Sequence, residues 1–457
     1  MIPPQHLTRA GGAITGTLRF MLDHPAGKRI TVMGLGRFGG GVGVTRWLAD
    51  HGAHVTVTDL RNEDDLRPSI EAIADYIALG QVRLALGGHV ESDFTQTDAI
   101  VVNPAVPRPW TNPYLNAARQ ADVPLTSEIR LFTERINRDR VIGVTGTAGK
   151  STTAAMIHHM LGRAGIGAHL VGNIGGSMLL RINDIGDDDW IVLELSSAML
   201  YWLREAVGYA DALSWSPHVA VLTNVQPNHL DWHETFGHYV ACKQQIFHAQ
   251  RPGDYAITAQ CVKQTQVTLT LPEHLPGDHN QYNAQLGAVA AARATGLDEP
   301  VLGNSLRDFP GLPHRLQRVG HHAGKQFFND SKSTTPEATV RAVRAFDAPA
   351  RVHLIAGGYD KNVDLQPISD LAGELAGLYT IGATGRSIAN AASSNETVHV
   401  CDTLAVAVEI AIHHMDEDDV LLLSPGCASW DQFEHYEQRG EQFVELVQQH
   451  IHRVKHI

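Results

Sequence analysis

Three stretches of the chain share one rhythm. Each opens with a short apolar run, passes into glycines or a small polar turn, and continues as a helix with apolar residues on one face. The first reads KRITVMGLGRFGGGVGVTRWLADHGAHVTVTDLR: a strand, a glycine loop, a helix, and a second strand closing on Asp59. The second holds DRVIGVTGTAGKSTTAAMIHHML and then the apolar strands WIVLELS and HVAVLTN. The third runs from GLPHRLQRV through QFFNDSKSTT, RVHLIAGGYDK and DVLLLSPGCASWDQF. Strands alternating with helices predict parallel sheets covered on both faces, so the expected fold class is α/β in three domains, residues 1–122, 123–311 and 312–457. Ligands of such sheets collect at the carboxyl ends of the strands, where the polar loops fall.

Composition changes this picture little. A 457-residue chain with 43% hydrophobic residues has apolar material for several cores. With 49 acidic against 36 basic side chains the formal charge is −13, which speaks against nucleic acid or an anionic membrane as partner. An anionic ligand must therefore be held locally. No stretch reaches the ~18 apolar residues of a membrane span, and MIPPQHLTRAGGAITGTLRF lacks the basic region and apolar core of an export signal. It reads as a short extension on a soluble protein. Cys242, Cys261, Cys401 and Cys427 form no paired metal motif and fit small buried residues in a reducing cytoplasm. A monomer is expected.

Two glycine loops carry candidate chemistry. Gly34, Gly36 and Gly39 match G-x-G-x-x-G, and Asp59 lies 23 residues beyond Gly36, near the spacing at which an acid meets a ribose hydroxyl. Alone, this admits an NAD(P)-linked oxidoreductase, with Arg61 suited to an extra phosphate, or a turn needed only for helix–strand packing. A hydride-transfer enzyme has no need of the second loop, TGTAGKST. There Gly146 and Gly149 let backbone N–H groups converge, Lys150 adds a point charge, and a helix N-terminus faces the anion. Val144 stands where the generic phosphate loop has its first glycine. Ser151 is placed for Mg²⁺, and Glu194, closing WIVLE, is the acid expected at a neighbouring strand end. His229 follows the next strand, and Lys243 comes 14 residues later. On spacing alone His229 reads as a loop histidine and Lys243 as a surface charge on a helix.

Taken in order, TGTAGKST, ELSS, HLD with a later lysine, GLPHR, NDSKST and LLLSPGCASWDQFEHYEQRGEQF resemble the Mur ligase family, from residue 29 to about 447. That family writes its phosphate loop T-G-T-x-G-K-[ST], so Val144 becomes a family mark. The resemblance implies a Rossmann-like UDP-binding domain, a central P-loop ATPase domain and a C-terminal Rossmann-like domain. It implies ATP-dependent addition of D-glutamate to UDP-N-acetylmuramoyl-L-alanine through an acyl phosphate. Gly36, Arg37, Phe38, Asp59, Arg61, Asn103 and Asn173 would meet the UDP-substrate. ATP would meet Gly146, Thr147, Ala148, Gly149, Lys150, Ser151 and Thr152, with Asn280, Asn283, Arg315 and Asp330. Glutamate would meet Lys332, Thr334, Lys361, Ser429, Trp430 and Tyr436. Ser151, Glu194, His229 and Lys243 would hold Mg²⁺, two ions in all, with a carbamate on Lys243; Lys150, Glu194, His229 and Lys243 would be the catalytic set.

The chain departs from the family pattern in places. Ala148 replaces a frequent asparagine, Asn228 precedes His229 where aspartate is usual, NPAV replaces a Pro-Gly version, and Trp430 is bulkier than usual. Only 37 residues separate Lys243 from Asn280, which implies that part of a peripheral β element is missing. A ligase using L-glutamate or another amino acid, or one like folylpolyglutamate synthetase, shares the phosphate loop. A P-loop switch or transport ATPase would explain residues 145–152 alone.

Overall fold

The computed structural model describes residues 24–36, 39–174, 176–209, 212–264, 269–272, 275, 277–360, 363–392 and 397–455. The chain forms two compact units. One is drawn from the residues up to Leu269 together with Asn283–Ser305, the other from Thr270–Tyr282 together with Leu306–Ile457.

The first unit contains two five-stranded sheets, both parallel throughout. In the first, β1 (Arg29–Met33), β2 (His54–Asp59), β3 (Val82–Leu86), β4 (Ala99–Val102) and β5 (Leu125–Thr126) lie in the order β3-β2-β1-β4-β5. In the second, β6 (Val141–Thr145), β7 (Ala168–Gly172), β8 (Trp190–Glu194), β9 (Val219–Leu222) and β10 (Tyr255–Ile257) lie as β10-β9-β6-β8-β7. Strands β4, β6 and β8 are buried at every residue, as unbroken apolar runs covered on both faces should be. Strand order reverses beside β1 in one sheet and beside β6 in the other, which opens a crevice at the end of each of these strands. The glycine loop and the phosphate loop begin there.

The second unit holds a six-stranded sheet. It comprises β11 (Gln317–His322), β12 (Lys325–Asn329), β13 (Val352–Gly357), β14 (Gly377–Ile381), β15 (Val398–Asp402) and β16 (Val420–Leu423), in the order β11-β12-β16-β13-β14-β15. Only β11 runs antiparallel, joined to β12 by Ala323 and Gly324, both at positive φ (49° and 76°) as a two-residue hairpin of this hand requires. The fold is therefore three α/β sheets with helices, two parallel throughout and the third parallel except for β11, as the sequence rhythm predicts. Among the described residues, no helix is long and apolar enough to cross a membrane.

Candidate active site

The phosphate loop joins β6 to the Lys150–Arg163 helix. Gly146 and Gly149 have φ of 153° and 81°, and a side chain at either would run into a neighbour, Thr223 Oγ1 in one case and Asn283 Oδ1 in the other. The loop is laced to the segment after β9. Thr147 N donates to Asn224 O (2.9 Å), Ala148 N donates to Asn224 Oδ1 (3.0 Å), and Ala148 O accepts from Thr223 Oγ1 (2.6 Å) and Asn224 Nδ2 (3.0 Å). Position 148 thus works through its backbone, which an alanine supplies as well as an asparagine. Lys150 Nζ bonds Thr147 O at 3.2 Å, and Ser151 is buried in the first helical turn with Thr152 half-buried behind it.

Around this loop the structure gathers the predicted acid and lysine. Glu194 ends β8 and is 1% exposed. Its Oε1 accepts from Asn173 Nδ2 at 3.2 Å, while Oε2 is buried with no hydrogen-bond partner among the described residues. A buried carboxylate oxygen left open costs a few kcal/mol unless a cation takes it, which fits a metal ligand. Lys243 corrects the reading from spacing: it is 2% exposed, not a surface charge. Its Nζ donates to Gly146 O at 2.6 Å and sits 4.7 Å from the centre of the Tyr239 ring. Desolvation, reinforced by the Lys150 ammonium, pulls its pKa down to about 7. The His229 backbone is left-handed (φ 52°), and its ring, on the surface, lies 6.4 Å from that of Tyr239. Desolvation on the crowded side, then Lys150 and Lys243, lowers its pKa against the pull of Asp231.

At the first sheet's crevice, Asp59 is buried and braces the glycine loop, Oδ2 accepting from Gly36 N (3.1 Å) and Oδ1 from Arg61 N (3.0 Å). Asn103, at the end of β4, donates through Nδ2 to Gly34 O at 3.2 Å. Arg61 is exposed. Arg37, Phe38 and Lys361 lie outside the described residues.

In the second unit, buried Asp330 follows β12. Leu316 N donates to its Oδ1 (3.1 Å) and Ser424 Oγ to its Oδ2 (2.7 Å), yet desolvation raises the carboxyl to about 6 against these bonds and the nearby Arg315. Lys332 Nζ bonds Tyr436 Oη at 2.6 Å and stands 4.0 Å from the centre of its ring. Thr334 is half-buried, Ser429 buried, and Trp430 packs on Tyr359 with ring centres 5.5 Å apart. Asn280 is buried at the start of the Asp278–Thr295 helix.

Residues 28–127 match the Mur ligase MurD-like N-terminal domain, residues 144–265 the Mur ligase middle domain, and residues 314–427 the Mur ligase glutamate ligase domain. The UDP-N-acetylmuramoylalanine–D-glutamate ligase of Roseiflexus sp. is 36% identical, over 93% of this chain and 99% of its own length. That of Acidobacterium capsulatum is 34% identical, over 93% and 97%. The chain belongs to the Mur ligase family. Members of that family are ATP-dependent acid–amino-acid ligases. Among solved structures, UDP-N-acetylmuramate-alanine ligase from Thermotoga maritima is 18% identical and shares the fold, with a TM-score of 0.55 over 92% of this chain and 99% of that one.

Arg439 and Glu128 are among the buried charged residues of this Mur ligase that escaped the sequence reading. Arg439, 1% exposed, donates to Ser331 Oγ and to the carbonyls of Ser331, Cys427 and Ala428, tying the loop after β12 to the loop after β16. Desolvation lowers its pKa to about 10. It lies inside the EQRGEQF motif, where only contacts across the fold distinguish it from a surface charge.

Glu128, first residue of the Glu128–Thr133 helix, sits under the glycine loop with Oε2 3.3 Å from where a Gly40 side chain would begin. Its Oε1 accepts from Ser177 Oγ (2.5 Å) and Met178 N (2.9 Å), tying this helix to the segment after β7. Desolvation outweighs these bonds and raises its pKa from 4.5 to about 7. The folded chain therefore keeps a proton that the unfolded chain loses, so stability falls as pH rises between those values, by up to about 3 kcal/mol. Melts at about pH 5 and about pH 8 should show this decline, reduced in Glu128→Gln. An equal decline in the variant would mean that other groups cause it.

Proposed function

We propose that the chain joins D-glutamate to UDP-N-acetylmuramoyl-L-alanine with hydrolysis of ATP to ADP and phosphate, a step of peptidoglycan precursor synthesis in the cytoplasm. The substrate carboxylate attacks the γ-phosphorus of ATP, giving an acyl phosphate and ADP. The amine of glutamate then attacks the acyl carbon, and phosphate leaves as the amide forms. Phosphoryl transfer asks mainly for positioning and charge neutralisation. We assign these to Lys150 and the backbone N–H groups of Gly146, Thr147, Ala148, Gly149, Ser151 and Thr152, with Asn280, Asn283, Arg315 and Asp330 as further ATP contacts.

Ser151, Glu194, His229 and Lys243 would hold Mg²⁺, which when bound neutralises charge on the phosphates. Lys243 would contribute as a carbamate: the ammonium gives one proton to solvent, the neutral amine attacks CO₂ so that a C–N bond forms as a C=O π bond opens onto oxygen, and a second proton leaves, turning a cation into a carboxylate. An ordinary lysine is neutral only about once in 10³ at pH 7. Burial against Gly146 O and the Lys150 charge favour the neutral amine here. This buried amine beside a phosphate loop carries the reading, because a P-loop switch or transport ATPase has no use for it. The full-length relatives named above support the choice of substrates. Gly36, Arg37, Phe38, Asp59, Arg61, Asn103 and Asn173 are assigned to the UDP-substrate, with Asn173 also steadying Glu194. Lys332, Thr334, Lys361, Ser429, Trp430 and Tyr436 are assigned to glutamate, where lysines serve its carboxylates as point charges.

The test is phosphate release from ATP by the purified protein with UDP-N-acetylmuramoyl-L-alanine and either D- or L-glutamate. Release with the D isomer is expected. No release with either isomer, while ATP still binds, overturns the assignment. Equal release with both transfers it to a ligase without isomer selectivity.

A further inference from the structure

One cluster of metal-ligating side chains stands apart from the groups used above. His238 and Cys242 lie four residues apart on one face of the Phe236–His248 helix, and His233 closes the short Leu230–His233 helix just before it. His233 Nδ1 is 3.2 Å from His238 Nδ1, and His238 Nε2 is 3.5 Å from Cys242 Sγ. One nitrogen of each ring and the sulfur all lie within 4.8 Å of one another. The edges of a tetrahedral zinc site are about 3.3 Å between nitrogens and about 3.5 Å between nitrogen and sulfur, from its bond lengths. His238 meets its two neighbours through different nitrogens, so an ion would take one of them and draw the trio together by up to about 1.3 Å. His233 Nε2 already bonds Ser197 Oγ at 2.9 Å, the outer contact that fixes a ligating imidazole and leaves Nδ1 for the ion.

We propose that His233, His238 and Cys242 form a binding site for a zinc-class divalent ion, with the fourth position facing the neighbouring cleft. That cleft, about 430 Å³, is lined by both histidines together with Trp110, Arg204 and Glu234. Glu234 is paired with Arg108 at 3.7 Å, so water or a small ligand takes the fourth position. Two imidazoles and a sulfur select a borderline-soft ion over Mg²⁺, which prefers oxygen, so this site does not compete for the ATP-associated metal. Binding releases the Cys242 proton to solvent. Burial pushes the Cys242 thiol up to about 11, and Arg204 offsets this only in part while opposing the ion, so the ion must displace the proton of a desolvated thiol. Because Lys243 follows Cys242 on the same helix, an ion here also holds the turn that presents the lysine to the phosphate loop.

The experiment is a Co²⁺ titration of the full-length protein after stripping with a chelator. One equivalent should produce a thiolate-to-cobalt charge-transfer band with the visible bands of a tetrahedral ion, and one equivalent of Zn²⁺ should abolish both. Cys242→Ser and His238→Gln should lose the charge-transfer band, whereas Glu194→Gln should keep it. No such band in the wild-type protein, or one undiminished in Cys242→Ser, overturns the proposal. The first result would leave the cluster as aromatic packing around Trp110 and Trp232, and the second would move the sulfur ligand to Cys261, Cys401 or Cys427. Should Cys242→Ser melt well below wild type, His238→Gln decides by the same criterion.

Discussion

Lys243→Ala is expected to lower phosphate release by about 10³-fold or more, because in the proposed mechanism the divalent ion would lose a ligand and phosphoryl transfer part of its charge neutralisation. Formate or acetate should restore a measurable fraction, since a free carboxylate can occupy the space of the carbamate. Bicarbonate should restore nothing, as alanine offers no amine. These outcomes follow from where the side chain lies. Its Nζ is 2.6 Å from Gly146 O, inside the phosphate loop, and burial leaves no route to water for a permanent ammonium. Turnover at the wild-type rate in the variant would remove Lys243 and its carbamate from the mechanism.

The second large effect is expected from Lys150→Met, which keeps most of the aliphatic length and deletes the charge. ATP turnover should fall by about 10³-fold or more while the melting temperature stays close to wild type, because the loss is electrostatic stabilisation of the transferring phosphate. The loop itself should stand, since Thr223 and Asn224 still hold its backbone when the Lys150 Nζ to Thr147 O bond is lost. The same substitution removes a charge that depresses the pKa of Lys243, so that amine should titrate closer to the ordinary lysine value. Turnover at the wild-type rate would mean that the loop holds no phosphate.

The two lysines show how far sequence reading reaches. The place of Lys150 on a strand-to-helix turn was legible from spacing, because the pattern is local: glycines, a lysine and a hydroxyl within eight residues. Lys243 was not, because an isolated lysine on a helix carries no sign of what will pack over it. Only the resemblance to a family raised it above a surface charge. Asn173 shows the same limit. Its motif suggested a substrate contact, and its amide is found on Glu194, a residue 21 positions away that parallel pairing of β7 with β8 brings alongside.

Apolar runs and glycine punctuation by themselves determined three α/β layers, the strand ends at which ligands collect, and the phosphate loop, all properties of short segments governed by steric and hydrophobic periodicity. Tertiary structure decided which charges lost their water. Glu128, Arg439 and Lys243 are as polar in the sequence as any exposed residue, and their altered acidities arise because strands and helices distant in the chain close over them. The His233, His238 and Cys242 cluster likewise exists only once two helices place three unremarkable side chains around one point. Desolvation and proximity depend on the whole packed environment of a group, and no window of sequence contains that environment.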